Sequence, residues 1–349
     1  MTDPSEIIVR AAGGVGRLTL NRPAALHALT LAMCETMIQA LTAWRADPAV
    51  QIVLIDHEGG RGFCAGGDVR QVAQSRSDGG ALAAAFFRTE YRLNHLLFTY
   101  PKPTVAIGDG VVMGGGAGLF LPCRYRIATE RTAFAMPETA IGFFPDVGAG
   151  WFLPRLPGQA GVWLGLTGAR LKAADCLALG LATHHISDPE GLKTALLADP
   201  ARLDDALAQR RAPAEPGRLE TALALIEATF AADTVEDIVT ALNARSEPWA
   251  GFQLETLMLR SPQSLKITLR HLREGGRAVS FAEVMAAELR LAIRSAASHD
   301  FAEGVRAVLT DKDDAPRWEP PSLEAVTPAM VDRFFALLPA DLEWTPLPV

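Results

Sequence analysis

Arg61-Gly62-Phe63-Cys64-Ala65-Gly66-Gly67-Asp68 is a glycine-rich loop that follows a short apolar run. About forty residues later, Asp109-Gly110-Val111-Val112-Met113-Gly114-Gly115-Gly116-Ala117-Gly118 repeats the arrangement. Glycine clusters permit unusual backbone angles and let main-chain N–H groups approach a ligand closely. Two such loops can aim one N–H each at the same oxygen, which is how an oxyanion hole is built. Two tight turns in a glycine-rich fold would read the same way. Neither loop has the GxxxxGK[ST] spacing of a phosphate loop or a strict GxGxxG, so nucleotide binding through those motifs is disfavoured.

Around these loops the first half of the chain alternates strand-like and helix-like segments. Residues 7–9 and 17–20 read as strands about a turn at 13–16, and residues 31–44 have helical periodicity. Residues 50–57 form an apolar strand leading into the first loop, and residues 82–98 look helical. Residues 104–109 are a strand leading into the second loop, and 119–122 and 125–129 continue the pattern. A strand–strand–helix rhythm with glycines at strand ends predicts an α/β fold of layered sheets. Ligands in such folds sit where glycine-rich loops leave strands. Beyond about residue 204 the character changes. Residues 219–230, 235–244, 254–259, 265–273, 281–298 and 301–309 read as helices, with Pro213, Pro216, Pro248 and Pro262 between them. The expected organisation is an α/β core over 1–204 and a mostly helical region over 205–349.

Composition narrows the class. Of 349 residues, 49% are hydrophobic and 21% charged, which is ordinary for a globular chain with a large core. The formal charge of −7, without a basic run, gives no electrostatic reason to expect nucleic acid or an anionic membrane as partner. Cys34, Cys64, Cys123 and Cys176 form no CxxC pair and have no metal-ligand spacing to histidine, so reduced thiols are expected. No window approaches a membrane span. The amino terminus, Met1-Thr2-Asp3-Pro4-Ser5-Glu6-Ile7-Ile8-Val9-Arg10, lacks a signal-peptide core. Cytoplasm is the expected compartment, and a precursor trimmed of an organelle leader would read the same.

Phe63-Cys64-Ala65-Gly66-Gly67-Asp68-Val69-Arg70 followed by the second loop resembles the two signature loops of the crotonase (enoyl-CoA hydratase/isomerase) superfamily. Leu20-Asn21-Arg22-Pro23 and Ala25-Leu26-His27-Ala28-Leu29 resemble the family segment that wraps coenzyme A. The resemblance implies a ClpP/crotonase-like fold of repeated β-β-α units with a helical C-terminal region. It implies that the Gly67 and Gly115 amides hold a thioester oxygen, and that Leu26, Ala28, Ala65, Gly66 and Asp68 contact the acyl-CoA. His27 stands where asparagine is common and is given no catalytic role.

The carboxylates then select the chemistry. A typical hydratase of that family uses two glutamates, one of them three residues after the donor glycine. Here that position is Gly118, which cannot activate water or move a proton, so two-glutamate hydration is disfavoured. The second family glutamate matches Glu138 in Met136-Pro137-Glu138. Taken alone, Glu138 also reads as a first-turn helix glutamate behind a proline. Asp146 lies eight residues on, and reads either as an N-cap for residues 147–153 or as a second carboxylate in one pocket.

Residues 136–156 closely resemble the corresponding segment of the 3-hydroxyisobutyryl-CoA hydrolase subfamily. The segments Thr167-Gly168-Ala169-Arg170-Leu171-Lys172 and Ser261-Pro262-Gln263-Ser264-Leu265-Lys266 extend the likeness, as do residues 300–309. The resemblance covers roughly residues 5–320. It implies hydrolysis of 3-hydroxyisobutyryl-CoA to 3-hydroxyisobutyrate and CoA, a step of valine catabolism, with Glu138 and Asp146 as the carboxylate pair. Glu90, in Thr89-Glu90-Tyr91, matches the hydrolases' glutamate-tyrosine segment at the acyl pocket, although Thr89 replaces a further acidic residue. A surface helix glutamate is its alternative. Phe143 and Phe144 read as a pocket wall or as core, and Lys312 as a phosphate contact or a solvated lysine. Glu138 would either attack the carbonyl or act as general base for water. No metal or redox cofactor is expected, coenzyme A being part of the substrate. A homo-oligomer is left open, because the hydrolases' longer tail can cover the helical surface through which crotonase relatives assemble. An enoyl-CoA isomerase or hydratase, or a non-catalytic acyl-CoA-binding protein, are the alternatives.

Overall fold

The computed structural model describes residues 5–75, 79–215, 217, 219 and 221–348. Of the sequence-based expectations, those on residues 1–4, Pro216 and Glu220 lie outside the described residues. The first two strands, β1 (Ile7–Ala12) and β2 (Val15–Leu20), form an antiparallel hairpin. Ala12 pairs with Val15, so only Gly13 and Gly14 turn the chain, both at positive φ. A two-residue hairpin demands that conformation, and glycine adopts it without strain. Helix α1 (Leu31–Ala46) begins where the Thr30 hydroxyl accepts the Met33 N–H at 3.2 Å.

From there one unit repeats three times. Strands β3 (Ile52–His57), β5 (Thr104–Gly108) and β7 (Tyr125–Ala128) join β1, β2 and β9 (His184–His185) in a six-stranded sheet of order β1-β2-β3-β5-β7-β9. The second strand of each unit, β4 (Gly62–Cys64), β6 (Val111–Met113) and β8 (Ala133–Ala135), joins a small parallel sheet of order β4-β6-β8. Strands β3 and β5 are buried along their whole length, and they are apolar nearly throughout, as central parallel strands must be.

The first unit continues into α2 (Val69–Gln74) and α3 (Ala81–Phe98), and the second into α4 (Gly115–Phe120). The third runs into a 3₁₀ turn over Glu138–Ile141, then α5 (Ala149–Phe152), α6 (Ala160–Thr167) and α7 (Ala173–Ala178). Helices α8 (Pro189–Ala198) and α9 (Leu203–Arg210) cover a second core, where Leu192, Leu196 and Leu207 cluster with Ile52, Leu54 and Ile107.

The stretch at 119–122, expected to continue the alternation of strands and helices, is the end of α4 and the turn after it. Glycine is a poor helix former, but here close packing requires it. A Cβ on Gly116 would collide with the Cys64 carbonyl, and one on Gly118 would stand 2.6 Å from Val147 Cβ.

The helical region comprises α10 (Leu223–Phe230), α11 (Val235–Asn243), α12 (Pro248–Met258), α13 (Pro262–Gly275), α14 (Phe281–Ala296), α15 (His299–Val305) and α16 (Pro328–Phe335). Pro248 and Pro262, read as breaks, are the first residues of α12 and α13, a position that needs no N–H and suits proline's fixed φ. The helix expected over 301–309 is α15 followed by a π turn over Arg306–Thr310. One continuous core joins residues of the α/β units to residues of this region, from Ile7 to Trp344. Helix α14 packs along α3, burying Phe281, Val284, Met285, Leu289 and Ala292 at helical spacing. The last residues lie over the same two helices: Arg88 Nη1 donates to the Glu343 carbonyl at 2.9 Å, and Arg290 pairs with the Glu343 carboxylate at 3.0 Å. Among the described residues no helix is long and apolar enough to cross a membrane.

Candidate active site

The small parallel sheet builds the site. Its three neighbouring strands end, in order, at residues 65–68, at Gly114–Gly115 and at Pro137–Glu138. Segments far apart in sequence thus meet at the carboxyl ends of adjacent strands, where α/β sheets hold ligands. The meeting is close. A Cβ built on Gly115 would lie 3.2 Å from the Gly67 nitrogen and would collide with Glu90 Oε1. A Cβ on Gly114 would lie 3.2 Å from Glu138 Oε1 and 3.3 Å from Gly66 Cα. Gly114 has φ 48° and ψ −124°, a conformation closed to residues with a side chain. Gly67 has no room either, since its Cβ would stand 2.8 Å from the Phe86 ring. Among the described residues neither the Gly67 nor the Gly115 N–H has a protein acceptor. For Gly115 that follows from its place as the first residue of α4.

Leu29 holds the first loop in place. Its N–H donates to the Gly66 carbonyl at 2.8 Å, and its carbonyl accepts the Asp68 N–H at 2.9 Å. Ala65 N–H donates to the Leu26 carbonyl at 3.0 Å, and Leu26 adopts φ 50°. The Ala28 carbonyl accepts from Arg22, whose guanidinium also meets Asp68 at 3.2 Å. Leu26, Ala28, Ala65, Gly66 and Asp68 therefore form one rim, with the Asp68 carboxylate engaged by Arg22. His27 is fully buried; its Nδ1 accepts the Arg22 N–H at 3.0 Å. The ring knits the rim together, and burial lowers its pKa.

The acidic groups are buried. Glu138 opens the 3₁₀ turn, as the first-turn reading expects, yet its side chain is enclosed and Oε2 has no hydrogen-bond partner. Glu90 is not a surface residue: it is 2% exposed, against Gly115, and Oε1 is likewise unpartnered. Asp146 is buried and accepts the Tyr91 hydroxyl on Oδ2 at 2.7 Å. It is no N-cap: α5 starts later, behind Gly148, and the Asp146 side chain caps nothing. Burial first, and then the negative charge of Asp146, holds Glu138 well above the ordinary carboxylate range. Glu90 is raised the same way, by burial and then by Asp146, Glu288 and Glu138. Asp146 is pushed up to about 8 by burial and by Glu288, while the Tyr91 hydrogen bond works the other way. A carboxyl buried among other acids, with no cation beside it, costs several kcal/mol when charged, so all three favour the protonated form in the ligand-free pocket.

Gly118 is where the site differs from a two-glutamate design. Asn94 Nδ2 donates to the Gly118 carbonyl at 2.9 Å, and Val147 fills the space a side chain would need. Phe143 stacks on Phe87 and on Phe144, and Phe144 meets the His271 ring edge-on, so both phenylalanines belong to the buried core behind the acids.

Lys312 is exposed and lies on a cavity of about 560 Å³ with Arg70 and Arg306, between α2 and the π turn. Arg306 is already paired with Glu303, Asp311 and Asp313.

The sequence reading places Tyr91 in the segment at the acyl pocket without giving its hydroxyl a partner, and assigns no role to Asn94, His271 or Glu288. A signal for Glu288 existed: it falls seven residues after Phe281, on the apolar stripe of α14, where a charge is out of place. Among the described residues no cluster of three or more His, Cys, Asp or Glu is arranged to hold a metal ion.

A family model described as enoyl-CoA hydratase/isomerase matches residues 15–335. A Danio rerio protein named 3-hydroxyisobutyryl-CoA hydrolase, mitochondrial, is 45% identical, covering 96% of this chain and 90% of its own length. An Arabidopsis thaliana protein named 3-hydroxyisobutyryl-CoA hydrolase 1 is 42% identical over 96% of this chain and 92% of its own. Among solved structures, a carnitinyl-CoA dehydratase from Mycobacterium thermoresistibile superposes with a TM-score of 0.93 at 40% identity, covering 98% of both chains. An enoyl-CoA hydratase from Rhodobacter sphaeroides superposes at 0.91, also at 40% identity, covering 98% of this chain and all of its own.

Proposed function

The chain belongs to the enoyl-CoA hydratase/isomerase family, and from that premise we propose that it is a thioester hydrolase cleaving 3-hydroxyisobutyryl-CoA to 3-hydroxyisobutyrate and CoA. The relatives' names support this substrate. The observation that carries the chemistry is the packed Gly118 position beside the orphaned Glu138. Hydration across a double bond in this family calls on a glutamate that this chain lacks, in a space that Val147 occupies. The dehydratase and hydratase names of the two superposed structures belong to those proteins and share the fold, which does not decide the reaction.

The thioester carbonyl lies against the free Gly67 and Gly115 amides. A pair of fixed N–H donors costs no reorganisation as the oxyanion forms, and losing one donor of such a pair lowers rate by about 10²–10³. Glu138, beside Gly114, stands on the same floor. Glu138 reacts in its ionised form, the minor one in the ligand-free pocket, and the burial that raises its pKa makes that carboxylate a stronger base. As general base it takes a proton from water while the water oxygen bonds to the carbonyl carbon. The tetrahedral oxyanion then collapses, the carbon–sulfur bond breaks, and the proton passes to the departing CoA sulfur. As nucleophile it displaces CoA to form an anhydride that water opens. Asp146 and Tyr91 meet the 3-hydroxyl, and Glu90 lines the same end. These steps use protein groups and water alone. The CoA chain leaves past Leu26, Ala28, Ala65 and Asp68, and a phosphate reaches Lys312 and Arg70.

The reaction belongs to valine catabolism under this reading. Several relatives are named mitochondrial, so the site of action is proposed as wherever 3-hydroxyisobutyryl-CoA is made, the cytoplasm in a cell without that organelle.

Purified protein incubated with 3-hydroxyisobutyryl-CoA is expected to release free thiol at catalytic rates, with no hydration or isomerisation of an enoyl-CoA. Enoyl conversion without thiol release would overturn the proposal. After a single turnover in ¹⁸O-water, label in Glu138 establishes the anhydride route with water attacking the glutamyl carbon, because general-base catalysis puts the label only in the product.

A further inference from the structure

The helical region contributes one buried ionisable pair to the back of the site. Glu288 on α14 and His271 on α13 are both buried, with His271 Nε2 at 3.1 Å from Glu288 Oε1. Glu288 Oε2 accepts the Gly148 N–H at 2.8 Å and Oε1 accepts the Gly150 N–H at 3.1 Å. Two backbone amides donate to this one carboxyl, one to each oxygen, and the His271 ring lies against it, a pattern that suits an ionised carboxylate. The turn it grips is strained. Val147 sits at φ 52°, unfavourable for a β-branched residue, and Gly148 at φ 95°. Gly150 lies so close to the His271 ring that a Cβ there would stand 2.5 Å from Nε2. This turn directly follows Asp146, whose other side is fixed by the Tyr91 hydroxyl.

We propose that Glu288 and His271 are positioning residues for Asp146: ionised Glu288 holds the strained turn at residues 147–150 by its amides and keeps a fixed negative charge behind Asp146, so that Asp146 meets the substrate as a protonated carboxyl. A protonated carboxyl presents a donor as well as an acceptor to a substrate hydroxyl, which a carboxylate cannot do. The inference rests on the reading that Asp146 faces the acyl group. The titratable groups around Asp146 are Glu90 and Tyr91 on α3, Glu138 on the 3₁₀ turn, His271 on α13 and Glu288 on α14. All but His271 are acidic, and Glu288 is the one with a backbone amide donating to each carboxyl oxygen.

The test is an infrared titration of Asp146 in the ligand-free protein, read as the difference from D146N, beside steady-state thiol release. Wild-type Asp146 is expected to titrate near 8. In E288Q the midpoint falls by at least one unit, a tenfold loss of proton affinity. There kcat drops about tenfold while KM stays within about twofold. E288D keeps the charge, so its midpoint stays near the wild-type value although kcat falls. Normal turnover by E288Q, or lost turnover with an unmoved midpoint, would overturn the proposal; the second outcome makes Glu288 purely structural. If neither variant folds, the wild-type titration decides alone, because an Asp146 midpoint in the ordinary carboxylate range is incompatible with it. If wild-type protein releases no thiol, the hydrolase reading fails, while the titration still tests the role of Glu288.

Discussion

Asp56 and the trio Glu90, Glu138 and Asp146 are all buried carboxyls of one molecule, treated in opposite ways. Asp56 lies one residue from the end of the central strand β3 and is surrounded by compensation: Arg17 at 2.6 Å, Lys193 at 3.3 Å and the Thr19 hydroxyl at 2.7 Å. The trio lies at the end of the small sheet, where the charged groups acting on it are other carboxyls, relieved only by the Tyr91 hydroxyl on Asp146 and by the backbone of Glu138 and of Asp146. Neutralised and hydrogen-bonded, Asp56 serves the fold. The trio meets no cation, and lies beside two amides that have no acceptor among the described residues, an arrangement that lowers stability unless a ligand repays it. Burial does not separate a reagent from a strut, but the satisfaction of the oxygens does.

The comparison breaks first at Glu138. Glu138→Gln should leave the fold intact and lower thiol release by about 10²–10⁴. Near-normal turnover in a stopped assay would assign catalysis elsewhere. Asp56→Asn should do the reverse. It leaves Arg17 and Lys193 facing a neutral amide and costs about 3 kcal/mol in urea unfolding, with kcat per folded molecule unchanged. A loss of kcat without a loss of stability would erase the distinction between the two regions.

A smaller effect is expected where the site is closed. Gly118→Ala pushes a methyl into Val147 and should cost about 1–3 kcal/mol, with no gain of enoyl hydration. A neutral result by thermal denaturation would mean that the position is open and that the hydratase reading deserves revisiting.

The smallest effect is in pH. Between the ordinary carboxylate range and about 8, the unfolded chain has released protons that folded Asp146 still holds, and Glu90 and Glu138 behave the same way. Stability of the ligand-free protein should therefore be full at low pH within this window and fall as pH rises through it. Glu90→Gln removes one such group, so its melting temperature at pH 8 should exceed that of wild type, by the equivalent of about 1 kcal/mol. Equal melting temperatures at pH 5 and pH 8 in both proteins would show that these carboxyls carry no unfavourable charge.

Much of the site was legible before the fold was known. Gly66, Gly67, Gly114 and Gly115 announce themselves because only glycine tolerates such backbone angles and such close approach. Glu138 and Asp146 stand out as acids within an apolar string. The helices expected over 254–259 and 265–273 start earlier, at Pro248 and Pro262, because a proline reads as a break from either side, whereas a helix accepts it at its first turn.

By itself the sequence determined the alternation of strands and helices, the two amide-bearing loops and the identity of the acids, since each depends on local residue chemistry. Only the tertiary structure decided that Glu90 is buried rather than solvated, that Asp146 meets Tyr91 instead of capping a helix, and that Glu288, 142 residues after Asp146 (288 minus 146), grips the turn behind it. Those outcomes depend on which distant surfaces pack together. The free energy of a carboxyl is set by the donors and dielectric it meets there, which no local pattern encodes.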